Sequence, residues 1–199
     1  MKKVIWATPL YKFLRYCNDS PLERTVLDCG AGGDTPPLRL FLESGYKTFG
    51  IEISDHSLNK TKKICREHGL RLNMFKGDMR KLPFKDEAFS FAYSYNTLPL
   101  MSKKDVEIAM GQIERVIKPD GLCFVNFVSV DDEGPADSYY EDNEPDQYFV
   151  DFLILHKEKR IILIGKEQKQ AYIDYIVQKK KRSVGSRRLL RKKGSMHAC

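Results

Sequence analysis

A chain of 199 residues with 42% hydrophobic and 31% charged residues can bury one core of ordinary domain size, and a second core is not expected. No apolar run approaches the ~18 residues of a membrane span, and the start MKKVIWATPLYKF has no continuous apolar stretch or small-residue cleavage site, so a cytoplasmic protein is expected. The net charge of +7 sits at the end, because nine basic residues from Lys179 to Lys193 exceed it and leave residues 1–178 at −2; any nucleic-acid affinity therefore belongs to a basic tail, 179–199, and not to the folded part.

In chain order, Leu10, Phe13, Leu14 and Cys17 make one apolar face, which predicts an amphipathic helix over Pro9 to Cys17 that also carries Tyr11. A strand at Thr25 to Cys29 runs into a glycine turn, and a helix over Pro36 to Ser44 starts on prolines and stops at Gly45. Strand Lys47 to Ile53, helix Asp55 to His68, strand Arg71 to Phe75, strand Ala88 to Ser94, helix Lys103 to Ile117 and strand Leu122 to Val130 follow. Asp131 to Gln147 holds eight acidic residues and no basic one, which predicts an irregular acidic loop. Tyr148 to Leu155 and Arg160 to Ile164 are expected as two strands around a turn at His156 to Lys159, and a helix over Glu167 to about Lys180 is expected to close the domain. The domain would then span 1–178, with a cofactor-binding core at 25–128, the loop at 131–147, and the terminal hairpin and helix at 148–178.

Strands that alternate with helices need crossovers, so the pattern predicts a doubly wound α/β fold with a mostly parallel sheet and helices on both faces. In that architecture ligands bind at the carboxyl ends of the strands. The turn Val26-Leu27-Asp28-Cys29-Gly30-Ala31-Gly32-Gly33-Asp34 lies at such an end, and its glycines admit a ligand close to the backbone. Glu52 ends the second strand, where a carboxylate accepts hydrogen bonds from both hydroxyls of a ribose. Asp78 and Met79 follow the third strand, suited to an adenine amino group and ring, and Ser94, Tyr95 and Asn96 end the fourth. Five cysteines with neither CxxC spacing nor a Cys/His pattern predict reduced thiols and no metal site.

The stretches VLDCGAGGD, GIEIS, KGDMRKLPFKDEAFSFAYSYNTL and IERVIKPDGLCFVNF resemble, in order and spacing, the class I S-adenosylmethionine-dependent methyltransferases, in particular the small-molecule enzymes of the ubiquinone and biotin-pathway type. The resemblance covers roughly Thr25 to Phe127. It implies a Rossmann-like, seven-stranded sheet whose last two strands form a hairpin, with S-adenosylmethionine as cofactor and S-adenosylhomocysteine as product. Asp28, Gly30, Ala31, Gly32 and Asp34 are then expected at the methionine end, Glu52 and Ile53 at the ribose, and Asp78 and Met79 at the adenine. Ser94 and Tyr95, with Tyr11 from the leading helix, are expected beside the methyl group. Tyr95 and Asn96 are the first choices for positioning an acceptor.

Two departures stand out. Asp34 occupies the place where the family often has a third glycine, and the acidic loop replaces a substrate-cap helix between strands five and six. A sulfonium is an activated donor, so in-line displacement needs positioning and exclusion of water more than a base. The expected activity is methyl transfer to a small-molecule acceptor, with a non-catalytic cofactor-binding protein of the same fold as the alternative. Thr35 stands where an NAD-binding G-x-G-x-x-G needs its last glycine, and an RNA methyltransferase would depend on the tail. The acidic rim favours a cationic or amine-bearing partner.

Overall fold

A computed structural model describes residues 8–164 and 168–181. Seven strands form one sheet: β1 (Thr25–Cys29), β2 (Lys47–Glu52), β3 (Asn73–Lys76), β4 (Phe89–Ser94), β5 (Ile117–Val128), β6 (Phe152–Ile164) and β7 (Gln168–Lys179). Their order is β3-β2-β1-β4-β5-β7-β6. The first five run parallel, and β7 pairs antiparallel with both β5 and β6. The order reverses between β1 and β4, which opens a crevice at their carboxyl ends.

Helices α1 (Thr8–Asp19), α2 (Leu38–Glu43), α3 (Asp55–His68) and α4 (Lys103–Val116) cover the sheet. The predicted spacing on α1 buries Leu10, Phe13, Leu14 and Cys17, and the Phe13 ring meets Phe41, Tyr93 and Phe124 at centroid distances of 5.9 to 6.2 Å. On the other face Val106, Ala109, Met110, Ile113 and Val116 of α4 join Ile173, Tyr175 and Val177 of β7 in one core. The Ser54 hydroxyl caps α3 by accepting from Ser57 N–H, and Gly69 at φ +63° ends it. These caps satisfy backbone groups that a helix terminus leaves open.

The end of the chain corrects three expectations. The helix expected over Glu167 to about Lys180 is replaced by a strand: Gln168–Lys179 is β7, central between β5 and β6, and Glu167 lies outside the described residues. Ala171, Ile173, Tyr175 and Val177 project to one face, and Asp174 and Ile176 to the other. Its β-branched and aromatic run Tyr-Ile-Asp-Tyr-Ile-Val outweighs the helix-favouring Lys/Glu/Gln flank. Nor is His156 to Lys159 a turn between two strands. The whole of Phe152–Ile164 is a single strand with one register shift between Ile154 and His156, and Tyr148 belongs to the 3-10 turn Glu144–Phe149. The hairpin of the last two strands exists, but between β6 and β7.

The charged middle of β6 is stable as a strand because its charges alternate between two neutralised faces. Glu158 meets Lys12 of α1, and Arg160 donates to Asp174 of β7 at 2.7 and 3.2 Å. On the opposite face Lys157 pairs with Asp146 at 2.9 Å, and Lys159 with Asp131 and with Asp142. The loop from 131 to 147 is irregular, as expected, but it is fastened to the sheet. Tyr140 is buried beside Phe127, and Glu144 pairs with Lys103. Four of its eight acids thus serve internal ion pairs instead of forming a free anionic rim.

The expected tail boundary at 178/179 falls inside β7. Lys179 is 3% exposed, with its ammonium donating to the Glu114 and Ile117 carbonyls, and Lys181 pairs with Asp120. The remainder of the basic segment lies outside the described residues. Among those described, no helix is long and apolar enough to cross a membrane.

The Arg160 to Asp174 pair lends itself to a direct test, since Asp174 is 3% exposed. Burial pushes its carboxyl up and the arginine pulls it down. Asp174→Ala should lower stability by about 2–4 kcal/mol, because it strands a half-buried guanidinium. Urea denaturation checks this; a loss near zero would mean that Arg160 finds another partner.

Candidate functional site

At the carboxyl ends of β1, β2 and β4 lies a cleft of about 890 Å³, within the ~300–1,000 Å³ range of small-molecule sites. Its wall includes Gly30, Gly32, Glu52, Ile53, Asp78, Met79, Tyr95 and Asn96. These are eight of the residues singled out in the sequence, supplied by four separate segments.

The glycine turn is anchored before any ligand is considered. Gly30 and Ala31 N–H both donate to the Ile51 carbonyl, at 2.9 and 3.0 Å, and Gly33 N–H donates to Ser57. Gly30 holds φ +101°, and a methyl group added there would lie 2.1 Å from Thr97 Oγ1. One added at Gly32 would lie 2.4 Å from Glu52 Oε2. Both positions thus require glycine, one for conformation and one for the approach of Glu52.

Glu52 is oriented by backbone: its Oε2 accepts from Gly32 N–H at 2.9 Å and its Oε1 from Ser54 N–H at 2.7 Å. Each oxygen keeps a lone pair for a ligand hydroxyl. Asp78 caps the 3-10 turn Met79–Lys81 and is clamped by Arg80, whose Nε and Nη2 donate to Oδ2 at 2.9 and 2.6 Å. The guanidinium also reaches Asp105 Oδ1 at 2.9 Å, while Ser102 Oγ donates to Oδ2 of the same residue. These bonds hold the Asp78 and Asp105 carboxyls below the usual carboxylate range. Arg80, Ser102 and Asp105 were not foreseen as site residues. The signal was present in the S-x-x-D capping pattern of α4, but nothing in the sequence put the start of α4 beside the third strand.

Asp28 lies one step beneath the cleft wall, 2% exposed. Burial, helped by the Glu52 charge, pushes its carboxyl up to about 8 despite the Tyr93 phenol beside it. Asp28 and Tyr93 are register partners on β1 and β4. The phenol is close enough to influence the acid but outside hydrogen-bond geometry, so Asp28 Oδ2 and Tyr93 Oη are both buried without a partner. An unpaired buried carboxyl is costly unless something else completes it.

The remaining sequence candidates are placed differently. Ser94 is buried with its hydroxyl on the Cys29 carbonyl at 2.9 Å. Ala31 is fully buried. Asp34 points outward to Lys60 at 3.2 Å. Tyr11 sits on the exposed side of α1 and is not part of the cleft wall.

Past the end of β4 the chain turns at Asn96, φ +57°. Its N–H donates to Asn126 Oδ1 at 2.8 Å, and Asn126 Nδ2 donates back to Asn96 Oδ1 at 2.6 Å. The fully buried Asn126 therefore fixes the left-handed turn that presents Tyr95 and Asn96. Asn126→Ala should cost about 1–3 kcal/mol by orphaning both groups, and should loosen ligand binding at the cleft. Denaturation and calorimetry on one sample would separate these effects, and unchanged values in both would discard the role. Burial raises the Tyr95 phenol, against the pull of Arg160, so it stays protonated near neutrality and acts as a donor and a wall.

These features test whether a sulfonium nucleoside fits. The cleft offers a glycine cradle and a backbone-oriented carboxylate, and the buried Asp28 carboxyl lies behind its wall; together they suit a cationic, hydroxyl-bearing ligand. Fold and cleft define the class I S-adenosylmethionine-dependent methyltransferase architecture, in which the last strand enters antiparallel. Comparison with known proteins agrees. The methyltransferase domain family matches residues 27–125, and this stretch of the chain belongs to that family, whose cofactor is S-adenosylmethionine.

A sterol 24-C-methyltransferase of Pneumocystis carinii is 30% identical over 100 residues, which are 49% of this chain and 26% of that enzyme. The chain thus matches only about a quarter of the length of that relative. A S-adenosylmethionine-dependent methyltransferase from Methanosarcina mazei superposes with a TM-score of 0.72 at 17% identity, covering 84% of this chain and 98% of the other. The [4+2]-cyclase SpnF gives a TM-score of 0.70 at 18% identity, over 87% and 81%. At such identities the likeness is one of fold, and a cyclase among the neighbours illustrates that fold alone does not fix the reaction.

Proposed function

We propose that this protein transfers the methyl group of S-adenosylmethionine to a small-molecule acceptor by in-line displacement. One observation carries the reading: a glycine cradle in the cleft whose Gly32 N–H orients Glu52, and which begins two residues after a buried Asp28 whose Oδ2 has no hydrogen-bond partner. When bound, the cofactor supplies a methyl group already activated on a cationic sulfur.

In this reading Glu52 accepts from the ribose hydroxyls, and Gly30 and Gly32 let the methionine portion pass close to the backbone. Asp28 attracts the cationic end of the ligand. Met79 covers one side of the adenine, and Asp78 accepts from the adenine amino group on a lone pair left beside Arg80, a carboxylate having about four acceptor sites. Tyr95 and Asn96 orient the acceptor along the line of attack and keep water out.

The test has two parts. Calorimetry should register binding of S-adenosylhomocysteine, and methyl label from S-adenosylmethionine should pass to a small-molecule fraction of a cell extract. Binding without any transfer would favour the non-catalytic alternative. If neither the donor nor its demethylated product binds, the proposal fails.

A further inference from the structure

We infer that Tyr93 is a positioning residue for the cofactor: its phenol donates to the Asp28 carboxylate that forms when the cationic end of the ligand arrives. This rests on the methyltransferase reading above. Asp28 of β1 and Tyr93 of β4 are register partners. Side chains alternate along a strand, so Asp28 shares the face of Val26 and Tyr93, the one packed by α1 and α2. Tyr93 is 0% and Asp28 2% exposed.

Both groups are left incomplete. Asp28 Oδ2 and Tyr93 Oη are buried without a hydrogen-bond partner, although most buried polar groups have one. The Tyr93 ring is held by Phe41, stacked at 5.1 Å, and by Phe13, edge-on at 6.2 Å, so the phenol oxygen is fixed in place. The carboxyl turns about its own side-chain bonds and is the group that closes on the phenol. The Tyr93 hydroxyl has no other bond to give up, and a phenol donates as well as accepts.

Ionisation is what draws the two together. A buried carboxylate without a donor is costly, and a hydrogen bond to a charged oxygen is stronger than one between neutral groups. On ligand arrival the Asp28 O–H bond breaks and its proton leaves to solvent, while Tyr93 Oη donates to the carboxylate and keeps its own proton. Burial and the neighbouring acid push that phenol well up. The other ionisable groups around the pair do not take this part. Glu52 of β2 opposes the new charge. Cys29 of β1 and Cys17 of α1 are held as neutral thiols by burial, and Arg39 of α2 donates to Glu43 at 2.7 Å.

The test reads the S-adenosylhomocysteine affinity of the full chain by calorimetry from about pH 6 to about pH 8.5. Tyr93→Phe keeps the ring and removes the donor. It should weaken binding about tenfold at pH 7, narrowing to about threefold at pH 8.5, because the unmodified protein levels off at about 8 and the variant about one pH unit higher. Thr48→Val, which removes another buried hydroxyl without a partner, should leave the profile unmoved. Should Tyr93→Phe fail to fold, Tyr93→3-fluorotyrosine takes its place. Its more acidic phenol is a stronger donor, so binding at pH 7 should tighten and the fluorine resonance should move when ligand is added. A loss in Tyr93→Phe that is equal at every pH, an unmoved profile, an equal shift in Thr48→Val, or a fluorine resonance indifferent to ligand would overturn the inference while leaving cofactor binding intact. Absence of S-adenosylhomocysteine binding by the unmodified chain, or affinity flat across this range, would instead sink the underlying reading and this inference with it.

Discussion

Gly30→Ala is expected to abolish cofactor uptake and to destabilise the fold by about 2–5 kcal/mol, the combined cost of a positive φ and of overpacking. At φ +101° a side chain is strained whatever the space, and here there is none: the new methyl group would lie 2.1 Å from Thr97 Oγ1 and 2.7 Å from Thr97 Cβ. Relief requires Thr97 to move, and Thr97 directly follows the Asn96 turn that Asn126 holds. The strain therefore propagates to Tyr95 and Asn96 in the cleft wall. Thermal melting with and without S-adenosylhomocysteine is the measurement. Gly111→Ala is the matched control, in the interior of α4 with open space around the added group. It should stabilise by about 0.5–1 kcal/mol through helix propensity alone. If Gly30→Ala melts like the control and still responds to ligand, the cradle has been misread.

Asp28→Asn should change both stability and binding, in opposite directions. With the folded carboxyl pushed up to about 8 from a usual 3.8, the native state keeps a proton between those values that the unfolded chain releases. Stability attributable to this group is thus full below about pH 4 and is lost as pH rises towards 8. An amide has no such dependence. At pH 8 the variant should be the more stable protein, by on the order of 3 kcal/mol, with a flatter stability curve.

Ligand affinity moves the other way. A cationic ligand favours ionised Asp28, so uptake by the unmodified protein should release protons below pH 8 and strengthen with pH, by up to about tenfold per unit, before levelling off. Asp28→Asn should weaken binding by at least about tenfold and remove the pH dependence. Calorimetry in two buffers of different ionisation enthalpy reads the proton release directly. Affinity that is flat from pH 6 to 8 would show that the ligand does not engage Asp28.

Much of this was legible in the residues. The strands at Thr25, Lys47 and Ala88 and the helices at Asp55 and Lys103 follow from local periodicity and capping, which need no partner to be recognised. The glycine turn, Glu52, Asp78 and Tyr95 follow from lying at the carboxyl ends of parallel strands, a rule of topology that spacing alone invokes. The segment after Gln147 was not legible in that way. The run His-Lys-Glu-Lys resembles a turn and Lys-Glu-Gln-Lys-Gln the start of a helix, because each is judged without its neighbours. Only the packed sheet supplies Lys12 and Asp174 on one face and Asp131, Asp142 and Asp146 on the other, and these opposite charges make the β6 pattern favourable as a strand.

The amino-acid order by itself therefore determined the α/β class, the parallel core and the family of the cofactor domain, since those depend on local pattern and on a connected motif. Tertiary structure alone decided that Arg80 clamps Asp78 to Asp105, and that Asp28 Oδ2 and Tyr93 Oη are buried without partners on adjacent strands. These are contacts between residues far apart along the chain, fixed by sheet register and loop closure, and a local pattern carries no term for them.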